Sequence, residues 1–292
     1  MNTRLLGLSL LFLGVLISCE LYEQDDYVEQ VFVESYMTAL EPLPEVRISR
    51  TASAFEFYTF EDFALPNANV QIHLLNDAGI AEETFIYRMD TVGVYIPDGF
   101  DDVRVLPMRE YLLDITFTDR EEHLRAKAFV PDTFRVVRSV RDTTTYQAFE
   151  QLEFDFSLSQ YPGRQNIYIF STLALDPENN DSPPIWNNFD DEPPVIASSG
   201  LINQDNYQVN PDNTITLTFP WIGIAYFGPN QITAYAVDDN IYDFLRSQSV
   251  QLGGSTLSPG EIQNVFYNIE GGIGLFGAMS GASVQVYVKA PF

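Results

Sequence analysis

From Val28 onward, apolar and polar residues alternate with a period of two, and this alternation limits the chain to a β architecture. Val31 and Val33 alternate with Phe32 and Glu34, Val46 and Ile48 with Arg47 and Ser49, and Val70, Ile72 and Leu74 with Gln71, His73 and Leu75. The stretches 85–87, 112–117 and 124–130 continue the pattern. Each reads as a short half-buried strand, because successive side chains of a strand point to opposite faces. Turn signals separate them at Pro42 and Pro44, Asn76-Asp77-Ala78-Gly79, Pro97-Asp98-Gly99 and Thr118-Asp119-Arg120. About seven strands at this spacing predict an antiparallel sandwich of immunoglobulin or transthyretin type over residues 28–131. Pro131-Asp132 closes that domain, and a second β-rich domain follows over 132–292. Its strands are marked by Val136, Val140, Phe154, Phe156, Ile167, Ile169 and Phe170, then by Thr214–Phe219, Ile232–Val237 and the closing Val284–Val288. One short helix is predicted over Asp239–Ser249, capped by Asp238 or Asp239, with Ile241, Tyr242, Phe244 and Leu245 on its apolar face.

Composition narrows the function classes. Of the 292 residues, 46% are apolar, including 22 Phe and 16 Tyr, so the chain buries a sizeable core. The formal net charge of −26 repels phosphate backbones and excludes nucleic acid as a partner. Cys19 is the single cysteine, and His73 and His123 are the two histidines. Disulfides, His-rich metal sites and thiol chemistry in the folded part drop out by counting. No catalytic constellation stands out, and no enzyme activity, metal or cofactor is expected. The acids offer many unordered carboxylate pairs, none singled out for glycoside hydrolysis.

The amino terminus carries an address. Residues 4–19, RLLGLSLLFLGVLISC, place one Arg before an apolar run of signal-peptide length. The run falls short of the roughly 20 residues that a bilayer core requires. It ends in Leu16-Ile17-Ser18-Cys19, which fits a lipobox. The resemblance to bacterial lipoprotein signals implies cleavage before Cys19, a diacylglyceryl group on its sulfur and an acylated new amino terminus. An ordinary secretory signal with a chance cysteine is the alternative. Residues 1–18 are thus read as a signal peptide, whose loss takes the charge to −27, and residues 19–27 as an acidic tether. Three acyl chains exceed what stable anchoring needs. The start Glu20-Leu21-Tyr22-Glu23-Gln24-Asp25-Asp26 resembles the export signal of surface-exposed lipoproteins of the Bacteroidota, implying an outer-membrane location facing the exterior.

Several segments invite sharper readings. Residues 176–194, DPENNDSPPIWNNFDDEPP, form an acidic, proline-rich loop. Its acids Asp176, Glu178, Asp181, Asp190, Asp191 and Glu192 supply oxygens of the kind calcium takes, without an EF-hand spacing, so a solvated loop is the reading. Trp186 and Phe189 in the same loop are candidate contact residues, the alternative being that Trp186 folds back onto its own domain. Tyr58, within Tyr58-Thr59-Phe60-Glu61-Asp62-Phe63, is a third candidate, either in an aromatic binding rim or packed onto the sandwich. Gly272-Ile273-Gly274-Leu275-Phe276-Gly277 matches a dinucleotide fingerprint, but its antiparallel surroundings point to tight turns or a close backbone approach. His73 and His123 read as structural or surface residues. Asp90-Thr91-Val92 and Asp142-Thr143-Thr144 resemble short O-glycosylation sequons, which mark Thr91 and Thr143.

Together, Val31–Thr38 and Val46–Thr51 resemble the start of the Bacteroidota lipoproteins catalogued as domain of unknown function 4249. Pro66–Ile72, Gly93-Val94-Tyr95 and Tyr111–Ile115 fit that family's next landmarks, and Asn268–Ala278 is similar to its closing motif. The helix around Tyr242-Asp243-Phe244-Leu245-Arg246 lies where members have one, while Ser35 stands where a glycine is expected. The resemblance implies a non-enzymatic companion of a TonB-dependent outer-membrane receptor, serving nutrient capture or receptor assembly. A free-standing surface adhesin or glycan-binding module is the alternative.

Overall fold

The computed structural model describes residues 27–53, 56–139, 142–147, 152–164, 167–188, 192–202, 207–253 and 264–291. The protein is mainly β, as the alternation predicts. The first part contains β1 (Val31–Thr38), β2 (Val46–Arg50), the one-turn helix α1 (Phe60–Phe63), β3 (Ala68–Leu75), β4 (Ala81–Thr91), β5 (Val94–Pro97), β6 (Glu110–Phe117) and β7 (His123–Phe129). Next come β8 (Val136–Ser139), β9 (Thr143–Thr145), β10 (Leu152–Ser157), β11 (Tyr168–Ala174), β12 (Ile196–Ser198), β13 (Gln208–Val209), β14 (Thr214–Phe219) and β15 (Gly228–Val237). Helix α2 (Asp239–Gly253) and the 17-residue strand β16 (Ile273–Lys289) complete the order.

Burial follows the period of two. Strand β6 buries Tyr111, Leu113 and Ile115, and β7 buries Leu124, Ala126 and Ala128, while their alternate residues face outward or lie half-buried. These inward rows, with Val33, Ile48, Val70 and Phe85, form one core. A second core gathers Phe154, Phe156, Tyr168, Phe170, Ile215, Leu217 and Phe219.

Twelve strands make one sheet, in the order β12-β11-β15-β16-β1-β2-β5-β4-β3-β6-β7, with β9 added beside β16. A second sheet runs β13-β14-β10-β8. Pairing is antiparallel except at β16, which runs parallel to both β1 and β9. Residues 273–279 of β16 pair with β1, and residues 279–288 pair with β15. Phe276 and Ala278 accordingly belong to the first core, and Ala282, Val286 and Val288 to the second. The strand therefore begins eleven residues before the stretch its alternation marks, because glycines hide its first half. A Cβ at Gly274 (φ +123°) would lie 1.9 Å from the Val33 carbonyl oxygen, and one at Gly277 would lie 2.5 Å from Ile241. The glycine-rich motif is a close backbone approach within a sheet.

Where β15 ends at Val237, β16 would be left with an unpaired edge, and three polar side chains finish it. Asp238, 1% exposed, accepts the Ala278 amide on Oδ2 at 3.0 Å and the Ile241 amide on Oδ1 at 2.9 Å, so it caps α2 and extends the ladder together. Its own amide donates to the Ala278 carbonyl at 3.0 Å. Asn268 takes the Phe276 amide at 3.0 Å and donates to the Phe276 carbonyl at 2.7 Å. Asn240 Nδ2 reaches the Lys127 carbonyl of β7 at 2.7 Å and the Phe276 carbonyl at 3.2 Å. Burial pushes the Asp238 carboxyl up, to about 8, against the pull of the Ile241 and Ala278 amides, and neighbouring Asp239 adds to the rise.

Replacing Gly274 with Ala should destabilise the protein by about 3 kcal/mol in urea unfolding, through backbone overlap and a disfavoured φ. Gly281→Ala, whose Cβ meets side-chain atoms alone, the Tyr235 ring at 3.1 Å and the Thr233 methyl at 3.4 Å, should cost less than about 1 kcal/mol. Equal losses would contradict the close-approach reading. Asp238→Ala strands two amides and should cost about 3 kcal/mol. An unfolded aspartate titrates near about pH 4. Between there and about 8 the folded state holds a proton that the unfolded chain has released, so this group's contribution falls as pH rises. Urea midpoints should drop between pH ~5 and ~8 more steeply for the wild type than for Asp238→Asn. Equal slopes would mean that the amide donors keep the carboxylate ionised throughout.

Candidate functional site

The outer end of the large sheet holds an aromatic slot. Phe170 and Thr172 of β11 point inward beneath the edge strand β12. Opposite them stands Phe219, the last residue of β14, whose ring meets Phe170 edge-on at 5.4 Å. The chain then turns through Pro220 into a short 3-10 helix, Trp221–Gly223. Gly223 is required there, since a Cβ would lie 2.5 Å from the Phe219 ring. Trp186, in another 3-10 turn, forms a further wall, and the enclosed volume is about 230 Å³. Thr172 is 2% exposed, and its hydroxyl has no hydrogen-bond partner among the described residues. Sequence reasoning missed Phe170, Thr172 and Phe219 as a group, because they come from elements some 50 residues apart that read as ordinary strands.

The acidic, proline-rich loop is stitched to the segment before β15. The Trp186 indole donates to the Ile224 carbonyl at 3.1 Å, the Phe227 amide to the Asp181 carbonyl at 2.9 Å, and the Tyr226 hydroxyl to the Pro193 carbonyl at 2.8 Å. Asn180 lies over Gly228, where a Cβ would come within 2.4 Å of its side chain. Trp186 thus folds back onto its own half and still lines a cavity. Phe189, Asp190 and Asp191 lie outside the described residues, as does Cys19 with the whole of 1–26. Among the described residues no three His, Cys, Asp or Glu side chains gather as metal ligands.

Tyr58 sits in a different place. Its ring stacks on Phe63 of α1 at 5.4 Å and its hydroxyl meets Ser49 Oγ at 3.1 Å. Packing and an aromatic rim coexist there, because Tyr58 also lines an open groove of about 510 Å³ with Phe32, Arg50, Thr51 and Glu56. Beside it, Phe57 is 88% exposed, and the Arg50 guanidinium lies 4.7 Å from the Phe63 ring centre. Tyr27, the first described residue, bonds through its hydroxyl to Thr51, so the chain enters the fold at this groove. Trp186 and Tyr58 line separate concavities. A third and larger one, about 750 Å³, lies between α2 and residues 264–272. Its charged groups are already engaged: Arg246 bonds the Tyr242 hydroxyl at 3.1 Å, and Asp243 pairs with Arg164.

The histidines take surface partners. His73 Nδ1 meets Thr84 Oγ1 at 2.9 Å, and His123 Nε2 meets Asp114 at 2.9 Å. Burial alone would raise the Asp114 pKa, but bonds from His123 and Arg125 outweigh it and hold the carboxyl below the ordinary range. Thr91 and Thr143 are both exposed.

No curated protein matches the chain. Among solved structures, it is similar to a trypsin-activated alpha-2-macroglobulin from Escherichia coli at 10% identity and TM-score 0.22, covering 73% of this chain and 15% of that one. It is also similar to three N-terminal domains of the bacteriophage RB49 outer capsid protein Hoc, at 11% identity and TM-score 0.21, covering 90% and 71%. An I-band fragment of titin gives 10% identity and TM-score 0.20, covering 90% and 66%. The chain thus spans only a small part of the macroglobulins it resembles. The family model described as Domain of unknown function (DUF4249) matches residues 18–285, nearly the whole length, and the protein belongs to that family.

Proposed function

We propose that the protein is a surface lipoprotein of a bacterial outer membrane that works by contact, as a non-enzymatic companion of a TonB-dependent β-barrel receptor. The observation that carries this reading is the run from Arg4 to Cys19, with its lipobox ending and the acidic residues after it. Acyl chains on Cys19 hold the protein in the plane of the membrane. Twelve residues lead from Cys19 to Val31, at most about 40 Å of chain. Such a tether turns encounter with a barrel in the same membrane into a nearly intramolecular event and raises the effective concentration accordingly. Among the described residues no helix is long and apolar enough to cross a membrane, and the proposed attachment is through the lipid on Cys19. The net charge of −27 after loss of residues 1–18 keeps the protein off anionic head groups. Nutrient capture and receptor assembly are the two roles open to such a companion.

A second reading, a free-standing glycan-binding module, is favoured by the groove at Tyr58. There an aromatic ring lies beside Arg50 and Glu56, a combination that suits stacking and hydroxyl recognition together.

Cys19→Ala should move the protein from the membrane to the soluble fraction without changing its urea midpoint, and should abolish its function in the cell. Full function from soluble Cys19→Ala protein would contradict the tethering mechanism. Purification of the full-length protein from mildly solubilised membranes should bring a stoichiometric β-barrel receptor with it, identified by mass spectrometry. Its reproducible absence, together with saturable polysaccharide binding lost in Tyr58→Ala, would favour the glycan reading instead.

A further inference from the structure

We propose that the slot beneath β12 is a docking site for an extended, basic peptide segment that adds as a strand to the free edge of the large sheet and inserts one aromatic side chain between the two sheets. Three observations converge on that occupant.

The first is the edge itself. Strand β12 ends the twelve-stranded sheet. The Ala174 amide bonds the Val195 carbonyl at 2.9 Å, the Ser199 amide bonds the Phe170 carbonyl at 2.8 Å, and Ala197 faces Thr172 between them. Antiparallel ladders alternate, so the backbone groups of Ile196 and Ser198 point away from β11. Ile196 is 63% exposed. An edge that no described strand covers is a template for one more strand.

The second is the slot. Its volume of about 230 Å³ lies directly under that edge, walled by Phe170, Phe219, Trp186, Pro220 and Ile222. A strand added beside β12 sends alternate side chains toward this inner face. The space and the rings suit one aromatic group, held edge-on or stacked. The unpartnered Thr172 hydroxyl, buried at 2% exposure, adds a polar group to a mostly apolar lining that Ser198 and Ser199 share. A buried hydroxyl without a partner is costly, and a phenol entering the slot would relieve it. Tyrosine is therefore the anchor the slot fits best.

The third is charge. Between Arg164 and Arg246 the sequence carries no Lys, Arg or His; of its eleven acids, Asp238 is buried at the start of α2 and Asp239 and Asp243 pair with Arg164, which leaves the loop acids to set the charge beside the slot. Glu178, Asp181 and Glu192, all exposed, lie in the loop that supplies Trp186. The field at this end of the molecule attracts basic flanks and repels acidic ones.

The inference deepens the contact reading by naming the chemistry of a partner segment, but it does not need the lipid anchor and can stand or fall separately from the β-barrel pull-down. The test uses the full-length protein in mild detergent and a positional library built on the capped peptide Lys-Thr-Val-Tyr-Val-Thr-Lys. The readout is fluorescence of the two tryptophans, Trp186 and Trp221, both in or beside the slot. Saturable binding is expected for members with a central Tyr. It should weaken at least tenfold when the anchor becomes Ala and vanish when the flanking Lys become Glu. Ile196→Pro removes one outward N–H from the edge and should also lower affinity at least tenfold, with an unchanged urea midpoint showing that the fold persists. Thr172→Val should bring the Tyr peptide down to the affinity of its Phe analogue while leaving the Phe peptide unaffected. Failure of every library member to bind at millimolar concentration would overturn the proposal. Undiminished binding by folded Ile196→Pro protein, or equal binding of Lys- and Glu-flanked peptides, would overturn it as well.

Discussion

The arrangement depends on how one strand is finished at its edge. Strand β16 serves two cores in succession, and it can do so only because β15 leaves its side at Met279 while β1 takes over on the other. A strand that loses a neighbour inside a protein exposes amides and carbonyls that water cannot reach, and each such group costs free energy. Here Asp238, Asn240 and Asn268 supply the missing partners to Phe276 and Ala278. Asp238 also starts α2, so the helix is launched from the point where the ladder ends. Asn240 adds a bond to Lys127, tying β7 to the same junction. Three side chains thus hold an early strand, a late helix and the last strand in one register.

That junction has consequences at a distance. With β16 fixed, β15 and β11 follow in register, and the sheet ends at β12 some way from the chain's point of entry beside Tyr58. The protein consequently presents two different faces. One, near the first described residue, carries exposed Phe57 and the groove at Tyr58. The other, at the sheet's free edge, carries the aromatic slot and a field of acids. The lipid anchor proposed above would attach the chain near the first of these faces and leave the second open to a partner.

Much of this was legible in the alternation. The inward rows of β3, β6 and β7 are the residues that a period of two selects, and the cap of α2 at Asp238 follows from an acid preceding an apolar helical face. The glycines of 272–277 were readable as a close approach, since nothing around them suited a nucleotide. Their membership of a strand was not, because a glycine offers no side chain to mark a face, and the partner Val33 lies some 240 residues away. Strand β5 was hidden for a related reason: it is four residues long and sits between turn signals. The slot was invisible because Phe170, Trp186 and Phe219 each look like core or loop residues alone, and only the meeting of two sheets with a folded-back loop makes them a cavity. Trp186, which the sequence leaves as either a contact residue or a ring folded back onto its own domain, folds back and also lines the slot.

Because β16 contributes to both cores, the two should unfold as one cooperative unit. Native-state hydrogen exchange of the purified protein, followed by mass spectrometry across a urea series, measures this. Segments from β1 and from β15 should lose protection together, with the Phe276 and Ala278 amides among the last to exchange. Two separate steps, in which β15 and β11 open while β1–β7 stay protected, would contradict it and show that the junction at Asp238 is a contact between independent parts.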